Sequence, residues 1–231
     1  FSIPATTPDI LRFALERKMP AVIGTTGLGE RELKLIRSAS DQIPVFQTGN
    51  MSLGVNLQLE LVQLAASTLG TNFDVEIIET HHRKKVDSPS GTALMLANAI
   101  ASISPEEEEF VYGRHEKNKR RTDTEIGIHS VRGGTVVGEH QVQFIGNDEI
   151  LEINHRAFSK QVFAQGALRA AKFLVGKQNG LYNMKNVVSE HDAASRLISL
   201  EDQAVVVVRS FAKEDAFASR VFDAIAERGV F

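Results

Sequence analysis

Apolar positions recur along the first part of the chain in two alternating periods. Ile10, Leu11, Phe13, Ala14 and Leu15 fall on one side of a helical projection, so residues 9–18 are predicted to form an amphipathic helix. Ala21, Val22 and Ile23 form a short unbroken apolar run, the pattern of a buried strand. The alternation repeats with a helix over 30–38, a strand over 44–46 and a long helix over 52–69, whose apolar side is Val55, Leu59, Val62, Leu64 and Ala65. Short apolar strands alternating with helices predict a parallel α/β sheet. Ligands of such sheets bind past the carboxyl ends of the strands. Gly24-Thr25-Thr26-Gly27 and Thr48-Gly49-Asn50-Met51 sit there, although either segment alone also reads as an ordinary turn.

From Asp74 onward the pattern changes. Apolar and acidic positions alternate in Asp74-Val75-Glu76-Ile77-Ile78, a predicted strand. Residues 126–131, 135–144 and 149–155 read as longer strands separated by Gly133-Gly134 and Gly146-Asn147-Asp148. With one helix at 93–103, they predict an α+β layer. The alternation of Val136, Gly138, His140, Val142 and Phe144 suggests one covered face and one free face. A helix at 158–174 is expected to return to the first sheet. A β-branched strand at 203–209 and an amphipathic helix at 216–227 form a tail.

Composition narrows the classes without choosing among them. An apolar fraction of 42% and a charged fraction of 24% are ordinary for a globular chain. A formal net charge of −3 offers nothing to nucleic acid or to a membrane surface. The basic run at 114–121 lacks interleaved aromatics and, like the acidic run at 106–109, reads as a solvated loop. With no cysteine, disulfide and thiolate chemistry are excluded. No apolar run approaches the roughly 18 residues a membrane span requires.

Chemistry concentrates in Glu79-Thr80-His81-His82-Arg83-Lys84-Lys85-Val86-Asp87-Ser88-Pro89-Ser90-Gly91-Thr92-Ala93. The run leaves a strand, turns through Pro89, Ser90 and Gly91, and enters a helix that Ser90 or Thr92 can cap. Amides of a first helical turn lack partners and carry the positive end of the helix dipole, so they attract carboxylate or phosphate. Lys84 and Lys85 add compact positive charge, and a histidine titrating near neutrality can donate a proton. The ensemble suits a small dicarboxylate that is protonated during reaction. His129 and His140 lie in predicted strands and read as structural. His155 and the Ser159-Lys160 pair could reach a carboxylate from the same cleft, while His115 and His191 read as surface residues.

This run resembles the signature of the 4-hydroxy-tetrahydrodipicolinate reductase (dihydrodipicolinate reductase) family of bacterial lysine biosynthesis. Other segments resemble it in the same order: Phe1-Ser2-Ile3-Pro4, Val22-Ile23-Gly24-Thr25-Thr26-Gly27, Asn50-Met51-Ser52-Leu53-Gly54-Val55-Asn56, the stretches 125–134 and 137–140, and Gly180-Leu181-Tyr182-Asn183-Met184. The resemblance implies a Rossmann-like parallel-sheet dinucleotide-binding domain (residues 1–52 and 157–188). It also implies an α+β substrate-binding and oligomerisation domain with a mixed sheet (53–156), and a cytoplasmic homotetramer. The family's G-x-G-x-x-G turn has no counterpart here, because Gly24, Gly27 and Gly29 have the wrong spacing. That turn, and with it the choice between NADH and NADPH, is expected upstream of Phe1. Residues 189–231 depart from the family and weakly resemble the opening half of an ACT regulatory domain.

The resemblance implies reduction by NADH or NADPH of a cyclic dicarboxylate. Gly24, Thr25, Thr26, Thr48, Gly49, Asn50 and Met51 would hold the nicotinamide, largely through backbone groups. The family has Ala-Pro-Asn where this chain has Thr48-Gly49-Asn50, and Ser-Arg where it has Ser159-Lys160. His82, Gly91 and Thr92 would hold the substrate carboxylates; His81 would donate a proton, and Lys85 would share that role or stabilise charge. Two other readings compete: a regulatory subunit answering to lysine through the tail, and a metal-dependent hydrolase with His81, His82, Asp87 and Glu79 as ligands. Adjacent histidines on a strand point to opposite sides, which suits one metal poorly.

Overall fold

A computed structural model describes residues 2–192, 197–200 and 203–206. The chain divides into two compact units, Phe1–Val188 and Ser189–Phe231. In chain order the first unit contains α1 (Thr7–Glu16), β1 (Ala21–Ile23), α2 (Glu30–Ser40), β2 (Pro44–Gln47) and α3 (Leu53–Leu69). These are followed by β3 (Asp74–His81), α4 (Gly91–Ala101), β4 (Glu109–Tyr112) and β5 (Glu125–Arg132). Then come β6 (Gly138–Ile145), β7 (Ile150–Ala157), α5 (Gln161–Leu174) and β8 (Gly180–Tyr182), with α6 (Met184–Asp192) running across the division.

The first sheet is parallel, in the order β1-β2-β8. Alternate residues of β2 face opposite layers. Val45 packs with Leu11 and Ala14 of α1 and Ile36 and Ala39 of α2, whereas Phe46 packs with Ala170 and Leu174 of α5. Helices on both faces of a parallel sheet make the Rossmann-like α/β layer that the alternating periods predict. Close packing on the α5 side depends on Gly166, where a Cβ would run into the Met51 carbonyl. Two caps fix helix starts nearby: the Glu32 carboxylate accepts from the Gly29 amide before α2, and Ser52 Oγ accepts from the Val55 amide at α3.

The second sheet is mixed, in the order β4-β5-β3-β6-β7, with β3 parallel to β5 and antiparallel to β6. Its edge strand β4 lies in the stretch between the two charge runs, where the sequence pattern predicts no strand. The layer also carries two helices rather than one. Val62 and Ala65 of α3 join Ala93, Leu96, Ala97 and Ile100 of α4 over Ile77, Ile126, Ile128, Val142 and Phe144. The Gln58 side chain pins α3 to the sheet by donating to the carbonyls of His140 (2.8 Å) and Ile153 (2.9 Å). In β6 every second residue from Gly138 to Phe144 is buried, so one face is covered as the alternation predicts.

Strand β3 runs three residues past its predicted end, to His81. It is paired on both sides there, Thr80 opposite Glu139 and His81 opposite Arg132, so backbone bonding carries the strand through the polar residues. In the second unit β9 (Leu197–Leu200) and β10 (Gln203–Val206) form an antiparallel pair. The rest of the strand predicted to reach residue 209, and the predicted helix at 216–227, lie outside the described residues.

Candidate active site

The covered face of the mixed sheet changes character along β3. Ile77, with Val142 and Ile128 opposite, belongs to the apolar core; the next rows are Glu79, His140 and Ser130, then His81, Gly138 and Arg132. A period of two puts Glu79 and His81 on one face, directly above that core. Glu79 is fully buried. His81 Nδ1 lies 2.5 Å from Glu79 Oε2, and Arg132 binds the same carboxylate through both terminal nitrogens at 2.8 and 2.6 Å. The Ser90 amide donates to Glu79 Oε1 at 3.1 Å. Burial alone would raise the Glu79 pKa, but hydrogen bonds from His81, Arg132 and Ser130 outweigh it and hold the group far below the usual carboxylate range. Arg132 is raised in turn by its bond to Glu79, and its Nη2 also donates to the Asp87 carbonyl at 2.7 Å.

Beside this pair lies His140, its ring centroid 5.1 Å from that of His81 in an edge-to-face arrangement. His140 Nε2 meets Ser90 Oγ at 2.9 Å, and Ser90 Oγ accepts from the Ala93 amide and caps α4. Burial, reinforced by the nearby His81, pushes the His140 pKa down to about 3, so this ring is neutral. Its structural reading holds, since it ties a helix cap to a strand.

Beyond β3 the chain turns back. The His82 amide donates to the Val136 carbonyl and the Lys85 amide to the His82 carbonyl, which keeps the cationic turn against the hairpin between β5 and β6. His82 is half-buried and Lys84 exposed. Lys85 Nζ pairs with Asp87 at 2.7–2.8 Å. Asp87 is exposed enough that burial raises its pKa only partly, and the bond from Lys85 leaves the net shift downward. At the start of α4, Gly91 faces open space, with no atom within 4 Å of where a Cβ would stand. The first amides of α4 carry the unpartnered N–H groups that a carboxylate can accept.

The parallel sheet supplies the other wall. Thr25 and Thr48 are buried at the carboxyl ends of β1 and β2, and the Thr48 amide donates to the Ile23 carbonyl at 3.3 Å. Gly27 has a positive φ of 70° and open space around it, and Gly24 and Thr26 lie on the same loop. Gly49 sits against Met95 of α4. Thr48 Oγ1 donates to the Asn50 carbonyl, and Asn50 Nδ2 reaches Thr92 Oγ1 at 2.9 Å. Met51 is buried in the α5 core with its carbonyl against Gly166. Two glycine-bearing loops at parallel strand ends, one open and one bonded to a helix start, fit a flat ring bound through backbone groups.

Several participants carry no signal as functional residues in the sequence. Glu79 and Asp87 enter there only as ligands of the rejected hydrolase, and Arg132 not at all. Arg132 shares one strand face with residues 126, 128 and 130, but the β3–β5 register that brings it to Glu79 is not readable from the sequence pattern. His155 packs against Ser52, Nε2 to Oγ 3.5 Å, and is depressed by burial. Arg156 lies on the open face, bonded to Glu139 at 2.6 and 2.9 Å. Lys160 is exposed. Among the described residues no group of three or more His, Cys, Asp and Glu side chains could hold a metal, so the hydrolase reading has no centre.

A Rossmann-like layer beside a helix N-terminus and a buried, carboxylate-backed imidazole suits a nucleotide-dependent enzyme that acts on a small anionic substrate. Residues 1–51 match the model described as dihydrodipicolinate reductase, N-terminus, and residues 54–188 the one described as dihydrodipicolinate reductase, C-terminus. The chain belongs to the dihydrodipicolinate reductase family. Membership carries the family's reaction: reduction of 4-hydroxy-tetrahydrodipicolinate with a nicotinamide cofactor on the route to lysine. A regulatory subunit without activity has no support among these relatives. The 4-hydroxy-tetrahydrodipicolinate reductase of Caldanaerobacter subterraneus subsp. tengcongensis is 52% identical over 190 residues, 82% of this chain and 75% of that one. The enzyme of the same name from Clostridium tetani is 48% identical, covering 80% and 72%. Among solved structures, the dipicolinate-bound dihydrodipicolinate reductase from Paenisporosarcina sp. TG-14 superposes with a TM-score of 0.64 at 27% identity, over 81% of this chain and 71% of that chain. Among the described residues no helix is long and apolar enough to cross a membrane.

Proposed function

We propose that His81 is the proton donor of the reduction and that the dicarboxylate binds between the β3–α4 turn and the β1 and β2 loops. When bound, the reduced nicotinamide supplies hydride. Loss of water from 4-hydroxy-tetrahydrodipicolinate gives dihydrodipicolinate, and hydride plus one proton then gives tetrahydrodipicolinate. With Nδ1 engaged by Glu79, His81 has Nε2 left for the substrate. Lys85 exchanges Asp87 for the developing negative charge. His82, Gly91 and Thr92 hold the carboxylates, the last two through amides of the first α4 turn. Gly24, Thr25, Thr26, Thr48, Gly49, Asn50 and Met51 line the nicotinamide side, as part of a cofactor domain of residues 1–52 and 157–188; residues 53–156 form the substrate domain. Dipicolinate, bound by the Paenisporosarcina relative, is the expected inert ligand.

The observation that carries this reading is the Asn50 Nδ2–Thr92 Oγ1 bond, which joins the β2 loop to the anion-binding helix start beside the His81 cluster. Either NADH or NADPH serves as reductant, and kcat/KM measured with each ranks them. The enzyme works in the cytoplasm as a homotetramer built on the open face of the mixed sheet, where Val131 and Ile150 are exposed. His81→Gln should lower kcat by roughly 10²–10⁴-fold, the range a positioned proton donor contributes, with little change in cofactor affinity. Lys85→Ala should also cripple turnover. Near-wild-type kcat in both variants would sink the assignment.

A further inference from the structure

We propose that Glu79, clamped by Arg132, is a positioning residue that sets the direction of His81, and that the same clamp holds the turn carrying Lys85. This rests on the assignment of His81 as proton donor. Four observations support it. Glu79 is fully buried, yet each carboxylate oxygen is engaged: Oε2 by His81 and Arg132, Oε1 by Arg132 and the Ser90 amide. The His81 bond uses Nδ1, so the ring is directed with Nε2 away from the carboxylate and towards Gly138, where a side chain would crowd it. A Cβ at Gly138 would stand 3.0 Å from His81 Nε2. Arg132 also holds the Asp87 carbonyl, and the Asp87 side chain holds Lys85, so one guanidinium spans the donor's partner and the lysine's partner.

A carboxylate only accepts, so the Nδ1 that faces it carries a hydrogen and the ring is held in one orientation. Arg132 balances the Glu79 charge in a bidentate fork, its Nη1 sharing Oε2 with His81 Nδ1. The titratable groups facing His81 from neighbouring elements are Glu79 on β3, Arg132 on β5, His140 on β6 and Lys85 with Asp87 on the turn; α4 contributes Ser90. His140 is neutral, so Glu79 is the negative charge in direct contact with the donor.

The test is a mutant cycle in the full chain. In Glu79→Gln, kcat should fall at least about tenfold, with KM for the nicotinamide changed less than about twofold. Glu79→Asp, which keeps the charge, should retain more kcat than the isosteric Gln. In a His81→Gln background, Glu79→Gln should cause no further loss, since the positioned group is gone. A folded Glu79→Gln enzyme with wild-type kcat overturns the proposal, as does a full additional loss in the His81→Gln background. If Glu79→Gln does not fold, nitrogen-15 NMR of the histidine rings decides it. The signal missing in His81→Gln should report a protonated Nδ1 in the wild-type chain, and a bare Nδ1 there overturns the proposal. Wild-type turnover by His81→Gln, in contrast, defeats the proton-donor assignment itself.

Discussion

His81 and His140 touch edge to face but meet opposite surroundings. One holds a carboxylate through Nδ1; the other is enclosed by β6, the α4 cap and α3, and burial drives its pKa to about 3. That difference has a thermodynamic sign. Unfolded, His140 takes up a proton near its ordinary pKa of about 6.5, while the folded ring does not until about 3. The unfolded state therefore binds more protons in that window. The stabilising contribution is complete above about pH 6.5 and is lost as pH falls, with a slope of at most about 1.4 kcal/mol per pH unit for one proton. Glu79, depressed far below its ordinary value, steepens the loss only below about pH 4.5. His140→Leu should lower stability at pH 7 through the lost Ser90 contact, yet flatten the pH dependence of urea unfolding between about pH 5 and 6.5. An unchanged slope there would show that His140 is not held neutral. Of these residues the sequence pattern identifies the His-His pair and Lys85 by their clustering. It misses Arg132, because strand pairing between β3 and β5, some fifty positions apart in the chain, is what brings it to Glu79.

At the scale of elements, the loop between β2 and α3 is tied down by side-chain bonds of its own. Asn50, Ser52 and Asn56 bond across it, and α5 presses Gly166 onto the Met51 carbonyl. Replacing a helical glycine by alanine gains up to about 1 kcal/mol of helix propensity. Here the new methyl would meet backbone rather than a movable side chain, and overpacking of that kind costs about 1–3 kcal/mol or more. Gly166→Ala should therefore be net destabilising, by roughly 1–2 kcal/mol in urea denaturation, and, on the proposed placing of Asn50 beside the nicotinamide, should weaken cofactor binding. A stabilised variant would show that α5 can slide. The helices and parallel strands are legible from their apolar periods, since each buries one stripe against one layer. Two features are not. Strand β4, with the sequence Glu-Phe-Val-Tyr, is too short and mixed to show a period, and α3 covers the second sheet although its period cannot say which layer it will face.

For the whole molecule, Asn50 and Thr92 join the β2 loop, proposed to hold the cofactor, to the start of α4, proposed to hold the substrate. A ligand bound to the first turn of α4 and a ring bound at the β2 loop therefore share one side-chain bond. Any preference of one ligand for the arrangement that keeps this bond is returned equally to the other, because coupling between two binding equilibria is reciprocal. Removing the bond while leaving both surfaces in place should weaken the coupling more than either affinity. A neutral side-chain hydrogen bond contributes about 0.5–1.5 kcal/mol net, equivalent to roughly a two- to tenfold change in an equilibrium constant. Calorimetry of dipicolinate binding, with and without saturating NADH, gives the ratio of dissociation constants for the wild-type chain and for Asn50→Ala. The ratio should fall by that factor in the variant, and the same fall should appear when NADH is titrated with and without dipicolinate. Thr92→Val, which removes the acceptor instead of the donor, should reproduce the effect, and the double variant should add nothing to it. An intact ratio in Asn50→Ala would mean that the two sides communicate by another route, such as the packing of Gly49 against Met95.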